Sequence, residues 1–196
     1  DAAGLKTSCS FTVTVIDNQA PPIACPANIS VNNTTGTCGA VVNYATPLGL
    51  DNCSGVVTTQ TAGLASGSTF PVGTTTNTFT VTDASNNTSS CSFTITVNDT
   101  QAPTITCPAN ITTAKTSDDD TGNCTTTVAL GTPTVLDNCA TGSIIFTAKV
   151  GGVTINPSTY LFGTGSTTVV WTASDQSGNV SQPCNQTVTV TDTEKP

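Results

Sequence analysis

The chain has 196 residues and a net charge of -8, with nine Cys, no His and no Met; all four of its cations are Lys, so Arg is absent as well. Without His or Arg there is no Ser-His-Asp or Cys-His machinery, no His ligand for zinc, and no guanidinium fork for phosphate. The negative charge argues against nucleic acid as a partner, and no apolar run approaches the roughly 18 residues of a membrane span.

Only 8% of residues are charged, whereas 44 are Thr. A surface covered by polar β-branched residues favours strands over helices. Hydrophobic residues make up 36%, and many alternate with Thr, so a core can form where a disordered chain would lack one. Nine Cys in a chain with so few Lys point to an oxidising compartment, hence to an extracellular or cell-surface location.

The first element in chain order is an alternating run, Cys9-Ser-Phe-Thr-Val-Thr-Val-Ile16, closed by Asp17. It returns 82 residues later as Cys91-Ser-Phe-Thr-Ile-Thr-Val97, and again as Cys184-Asn-Gln-Thr-Val-Thr-Val190. The following segment, Ala20-Pro-Pro-Ile-Ala-Cys-Pro-Ala-Asn-Ile29, recurs as Ala102-Pro-Thr-Ile-Thr-Cys-Pro-Ala-Asn-Ile111. Turn chemistry then divides the chain at Thr35-Gly36, Leu48-Gly49, Ser66-Gly67 and Val72-Gly73. Phe79-Thr-Val-Thr82 alternates next and ends at the turn Asp83 to Asn87, whose counterpart is Asp175 to Asn179. Pro47, Asp51, Asn52 and Cys53 map onto Pro133, Asp137, Asn138 and Cys139 at an offset of 86. The four extra residues coincide with Asp118, Asp119 and Asp120, expected to form a longer solvated turn.

This repetition predicts four parts: residues 1–16 as the C-terminal strand of a preceding repeat, 17–98 and 99–191 as two full repeats with their N-terminal joins, and 192–196 as the start of a join to a following repeat. Six or seven short strands per repeat, with no amphipathic helix, describe an all-β fold of tandem immunoglobulin-like sandwiches. Trp171 aligns with Phe79 on an apolar strand position and is expected in the core rather than exposed for sugar stacking. Phe70 and Tyr160 are aligned with each other, ahead of Gly73 and Gly163, as packing residues at a sandwich edge.

Cys25-Pro-Ala-Asn-Ile, Asp51-Asn-Cys53, Phe70-Pro-Val-Gly73, Val81-Thr-Asp83 and Cys91-Ser-Phe-Thr-Ile-Thr-Val97 together resemble the hyalin repeat, or HYR, domain. The resemblance covers nearly the whole chain and implies immunoglobulin-like sandwiches in tandem on extracellular proteins, including bacterial surface adhesins. The second repeat departs from the pattern where Tyr160-Leu-Phe-Gly163 stands for Phe-Pro-x-Gly. The resemblance carries over no catalytic residue, and no enzyme activity is expected.

Four Cys recur in each full repeat, which allows three connectivities. In a seven-strand sandwich the first and last strands run parallel from the same end, which brings Cys25 near Cys91 and Cys107 near Cys184. Cys38 with Cys53 and Cys124 with Cys139 then follow by elimination, while Cys9 is left over. Zinc is disfavoured, since no C-x-x-C spacing and no His exist.

Eight of the twelve acids occupy repeated positions: Asp1, Asp83 and Asp175; Asp17, Asp99 and Asp192; Asp51 and Asp137. Asp17, Asp51 and Asp83 with Asn18 and Asn52, and likewise Asp99, Asp137 and Asp175 with Asn138, are expected at one end of each sandwich. Such oxygen ligands suit Ca²⁺; the competing reading makes the Asp residues turn formers only. Lys6, Lys115, Lys149 and Lys195 do not recur at matching positions, which argues against a repeated isopeptide crosslink. Asn28, Asn87, Asn98 and Asn110 open glycosylation sequons.

The functional expectation is a rigid, disulfide-stabilised spacer in an extracellular multi-repeat adhesin or filament. Its partners would be neighbouring repeats of the same long chain, with lateral or end-to-end self-association. The alternatives are a module that binds a glycan or protein, or accessory domains of a secreted enzyme.

Overall fold

A computed structural model describes the chain except residues 1, 5, 7, 116–123, 140–141 and 194–196. Asp1 and the acidic insert at Asp118 to Asp120 lie outside the described residues. Among the described residues there are fifteen strands and no helix. The first repeat contributes β1 (Ile29–Asn32), β2 (Gly39–Val41), β3 (Val57–Ala62), β4 (Thr69–Pro71), β5 (Gly73–Thr82) and β6 (Thr88–Asn98). The second contributes β7 (Thr104–Thr106), β8 (Ile111–Lys115), β9 (Thr125–Thr127), β10 (Thr134–Leu136), β11 (Ile145–Val150), β12 (Val153–Ile155), β13 (Leu161–Gly163), β14 (Gly165–Ser174) and β15 (Cys184–Asp192). The sheet orders are β1-β6-β5-β3 with β2-β4 in the first repeat, and β12-β11-β14-β15-β8 with β13-β9 and β10-β7 in the second. These are immunoglobulin-like sandwiches in tandem.

Residue packing divides the chain into two compact units whose borders cut through the first repeat. One comprises Asp1–Asn28, Asn43–Ser68 and Thr75–Thr94; the other comprises Ile29–Val42, Thr69–Thr74 and Ile95–Pro196.

In the first unit, alternation along β5 buries Phe79 and Val81, leaving the intervening Thr side chains half-exposed. Phe79 and Phe93 stack with centroids 6.4 Å apart, and Tyr44 meets Phe93 edge-on at 5.0 Å. Buried Asn77 organises the β3 to β4 turn, its Oδ1 accepting from the Leu64 N–H at 2.8 Å and from Gln60 Nε2 at 3.2 Å. Only glycine fits at Gly63, where φ is +87° and a Cβ would lie 1.9 Å from Asn77 Oδ1. Cys25 and Cys91 are joined by a disulfide.

Residues 8–16 form no strand, and Phe11, Val13, Val15 and Ile16 are exposed. The repeat counterparts of Phe11, Val13 and Val15, which are Phe93, Ile95 and Val97, are buried, and that of Ile16 is the exposed Asn98.

In the second unit the core comprises Leu130, Ala148, Phe162, Val169, Trp171, Val188 and Val190. Trp171 is 3% exposed and packs in this core, as its alternating strand requires. Here a hydrogen-bonded pair replaces the stacked rings of the first repeat. Trp171 occupies the place of Phe79 and Gln186 that of Phe93, and Trp171 Nε1 donates to Gln186 Oε1 at 3.0 Å. Gln186 Nε2 in turn donates to the carbonyls of Ala109 and Leu130 at 2.9 and 2.8 Å, so the buried amide is fully used.

The structure corrects the sequence alignment around Tyr160. Phe162, not Tyr160, takes the place of Phe70: both are fully buried and both lie on the short strand that pairs with β9 or β2. Likewise Gly165, not Gly163, matches Gly73, with φ of +101° and +109° at the starts of β14 and β5. Phe162-Gly163-Thr164-Gly165 is therefore the second copy of the Phe-Pro-x-Gly motif. Tyr160 packs edge-on against Phe162 at 4.8 Å.

The exchanged core pair yields a test. Q186A leaves the indole N–H and two carbonyls without partners and is expected to cost about 3 kcal/mol or more by urea unfolding. W171F combined with Q186F rebuilds the stacked pair of the first repeat, so its loss should be smaller than the sum of the two single losses, by about 1 kcal/mol or more.

Candidate functional site

Among the described residues, an acidic cluster forms in each unit. In the second unit, Asp99 follows β6, Asp137 follows β10 and Asp175 follows β14, each as the first residue beyond its strand. Their carboxylates converge, with one oxygen from each lying within 4.8 Å of the others. Asp99 and Asp175 are 9% and 7% exposed, and a cleft of about 260 Å³ lined by both, with Cys139, Gln176 and Val72, reaches them. In the first unit the corresponding group is Asp17, Asp51 and the thiol of Cys53, again within 4.8 Å.

The Asp residues do part of the work that turn formers do. Asp83 Oδ1 accepts from the Asn87 N–H and Oδ2 from Asn87 Nδ2, both at 2.8 Å; Asp175 and Asn179 repeat both bonds at 2.8 Å. Asn87 Nδ2 also reaches the Asp17 carbonyl and Asn179 Nδ2 the Asp99 carbonyl, so each turn grips the join that precedes its repeat. A glycan on Asn87 would displace at least one of these bonds. Asp51 and Asp137 accept from the N–H of Cys53 and Cys139 through Oδ2, at 3.2 and 3.1 Å.

Turn formation leaves other atoms unused. Asp51 Oδ1, Asp137 Oδ1 and Asn138 Oδ1 are buried and accept no hydrogen bond. Buried oxygens without a donor, grouped with further carboxylates, form a set of hard ligands that fits a cation such as Ca²⁺. Of the residues expected to share such a site, Asp99, Asp137 and Asp175 come together, as do Asp17 and Asp51. Asp83 is committed to Asn87 and stands outside the closest group, while Asn18 and Asn52 are exposed.

The larger difference concerns the cysteines. Cys107 is bridged to Cys184, as Cys25 is to Cys91, but Cys38 is joined to Cys139 rather than to Cys53. The pairings Cys38 with Cys53 and Cys124 with Cys139 are therefore replaced by a bond that crosses from one repeat to the next. Ala40 and Val42 are anchored in the core just after Cys38, so the chain does not fold back toward Cys53. Instead the turn at 33–38 reaches the next repeat.

Around that bridge, all within the second unit, the turn is held at several points. Asn33 Nδ2 donates to Asp99 Oδ1 at 2.9 Å, and Asn33 Oδ1 accepts from the Thr100 N–H at 3.2 Å. The Gly36 N–H donates to Gln101 Oε1 at 2.7 Å, and Asn138 Nδ2 donates to the Thr37 carbonyl at 3.0 Å. The acidic cluster and the repeat joint thus share Asp99 and the 137–139 loop.

Among the described residues, two groups have displaced acidities. The hydrogen bond that the Cys53 thiol donates to Asp17 and that carboxylate's charge push the thiol above its usual range, helped by desolvation and by Asp51 and Asp83. At Asp83 burial acts most strongly and opposes ionisation, but the bonds from the Asn87 side chain and from the N–H groups of Asn87 and Ser85 together outweigh it and hold the carboxyl below its usual range. Such a group stabilises the fold above the unfolded-state pKa of about 3.9, and this contribution disappears as pH falls through the lower folded value. The stability gap between the protein and D83A, from urea midpoints, should accordingly be full at pH 7 and shrink as pH falls below about 4. D17N should speed alkylation of Cys53 by iodoacetamide at pH 8, because it removes the charge that disfavours the thiolate.

A family match follows the two repeats. The HYR domain family matches residues 16–97 and 98–190. Hyalin of Strongylocentrotus purpuratus is 37% identical over 199 residues, and hyalin of Lytechinus variegatus 31% over 205. Each alignment takes in 97% of this chain but only 15% and 34% of those proteins, so the chain spans a minor part of either. Among solved structures, human mucin-like protocadherin EC1-2 is 12% identical with a TM-score of 0.44, covering 88% of this chain and all of that one. The fibronectin(III)-like modules of Clostridium thermocellum CbhA are 19% identical with a TM-score of 0.36, covering 90% of this chain and 97% of theirs. With both of its repeats matched along nearly their whole length, the chain belongs to the HYR domain family.

Proposed function

We propose that this chain is a structural segment of an extracellular, multi-repeat adhesin or filament, in which it acts as a rigid, disulfide-stabilised spacer. The observation that carries this reading is the joint described above, where the 33–38 turn is tied to the next repeat by the Cys38–Cys139 bond and by hydrogen bonds to residues 99–101 and 138. A binding module gains nothing from such a covalent tie between neighbours, whereas a spacer gains stiffness from it. Three disulfides suit an extracellular or cell-surface location. The partners proposed are neighbouring repeats, with end-to-end or lateral association between chains.

In this reading Ca²⁺ is held by Asp99, Asp137, Asn138 and Asp175, and in the first repeat by Asp17 and Asp51 with Asn18, Asn52 and Asp83 nearby. A cation there would neutralise the carboxylates gathered at each join. The chain's own part is to hold Asp99 by the Gln101 N–H and Asn33, and Asp175 by Asn179, so that the ligands are oriented beforehand.

The joint is large in energetic terms. Residues 38 and 139 are 101 apart, and closing such a loop is worth about 4 kcal/mol in the chain-entropy model, after about 0.5 kcal/mol is deducted for the shortcut through Cys25–Cys91. C38S combined with C139S should lower stability by about 2–4 kcal/mol in urea unfolding. Small-angle scattering of the protein should give one narrow inter-repeat distance, and the same double variant a broader one. A freely flexible particle from the unaltered protein would overturn the spacer. Calorimetric titration with CaCl₂ should give millimolar or tighter binding that D137A weakens; no heat from the unaltered protein would remove Ca²⁺ from the proposal.

A further inference from the structure

We propose that Cys53 is the receiving half of a second inter-repeat disulfide, which takes the turn cysteine of a further HYR repeat placed ahead of residue 17 in the same chain. This rests on the reading of the chain as part of a tandem array. The filled joint at Cys139 supplies the template. Cys53 occupies the position of Cys139 in the repeat, and the two loops have the same local geometry, with the cysteine N–H bonded to Oδ2 of the Asp two residues earlier. The join segments also agree, since the Gln19 N–H bonds Asp17 Oδ1 as the Gln101 N–H bonds Asp99 Oδ1.

The groups that receive the 33–38 turn in the filled joint are Asp99, Gln101, Asn138 and Cys139. Their counterparts Asp17, Gln19, Asn52 and Cys53 are the same residue types. What differs is coverage. Gln101, Asn138 and Cys139 are half-buried, whereas Gln19, Asn52 and Cys53 are exposed, and Cys53 is a free thiol. One docking surface is covered by a turn and its twin is bare, with the bond-forming sulfur at the same place in each.

Bond formation joins the Cys53 sulfur to the sulfur of the incoming turn cysteine. The two thiols lose two protons and two electrons, and a disulfide oxidant such as oxidised glutathione takes up both to become two thiols. No other atom is transferred.

The test lengthens the chain at its N-terminus with a copy of its own residues 17–82, which joins in register because Asp1 holds the position of Asp83. The copy carries C53S, so that one Cys53 remains, and T35S as a mass label on the incoming turn. After oxidation with glutathione, mapping of non-reduced peptides should link Cys53 to the labelled turn, and Cys53 should lose its reaction with iodoacetamide. Serine at the copied Cys38 should restore that reaction.

A Cys53 that stays alkylatable, or that is found bonded elsewhere, overturns the proposal. A bond from Cys9 to the copied Cys25 reports that the added repeat has folded. Should that bond be missing, residues 99–174 serve as the added copy, with the copied Cys124 as donor and the same two outcomes. Scattering on the lengthened chain keeps the readings apart: an unbridged Cys53 with a uniform repeat spacing sinks this inference alone, and a bridged Cys53 on a flexible chain sinks the spacer alone.

Discussion

The seam between the first and last strands of each repeat is the constraint from which the rest follows. The Cys-Pro-Ala-Asn-Ile string builds it in three steps. Its Cys is bonded to the cysteine on the last strand, its Asn Oδ1 accepts from the N–H of Thr94 or Thr187 at 2.9 and 2.8 Å, and its Ile opens a parallel ladder with Ile95 or Val188. Parallel neighbours have no tight turn to fix their register, so a covalent bond and a side-chain bond fix it instead. Once that register is set, alternate residues of the last strand face inward in both repeats, Phe93, Ile95 and Val97 in one and Gln186, Val188 and Val190 in the other.

The same seam determines where the repeat's loops can act. The parallel ladder carries the chain from the end of the first strand into the turn at 33–38, beside the point where the last strand of that repeat delivers Asp99. Asn33 bonds both ends of that arrangement, taking the Asn98 carbonyl through its N–H and Asp99 through its side chain. The turn and the join are thus held together by one residue. This explains how a surface hairpin of small polar residues can present a cysteine accurately to the next repeat.

Much of this was legible from the residues. Alternation and turn chemistry located the long strands, Trp171 fell where its period put it, and the flanking positions of Cys25 and Cys91 anticipated their contact. The cysteine that crosses between repeats was hidden by an even count of four per repeat, which makes intradomain pairing look complete. The offset of 86 that aligns Cys38 with Cys124 and Cys53 with Cys139 leaves room for a shifted pairing, but periodicity within one repeat cannot reveal contacts between two. The Tyr160 register failed for a related reason. The offset grows from 86 at Cys53 and Cys139 to 92 at Asp83 and Asp175, so residues are inserted between them; Tyr160-Leu-Phe-Gly163 matches the motif by residue type, whereas the offset of 92 leads from Phe70 to Phe162, the buried ring ahead of a positive-φ glycine. Repetition singled out the acids, yet the number of hydrogen-bond donors around each one decides whether its oxygens are used up by a turn or left without a partner.

The exchange of the stacked Phe79 and Phe93 for the bonded Trp171 and Gln186 bears on how such an array assembles. Adjacent copies of nearly the same strand invite pairing with the wrong sheet while the chain is being made. If β6 entered the second sandwich, Phe93 would meet Trp171 and leave the indole N–H, with the carbonyls of Ala109 and Leu130, buried and without partners. At about 1–3 kcal/mol for each unsatisfied group, that error is penalised by an amount comparable to a good part of a domain's stability. Unlike cores in successive beads of a string thus act as keys, letting near-identical strands sort to their own sheets.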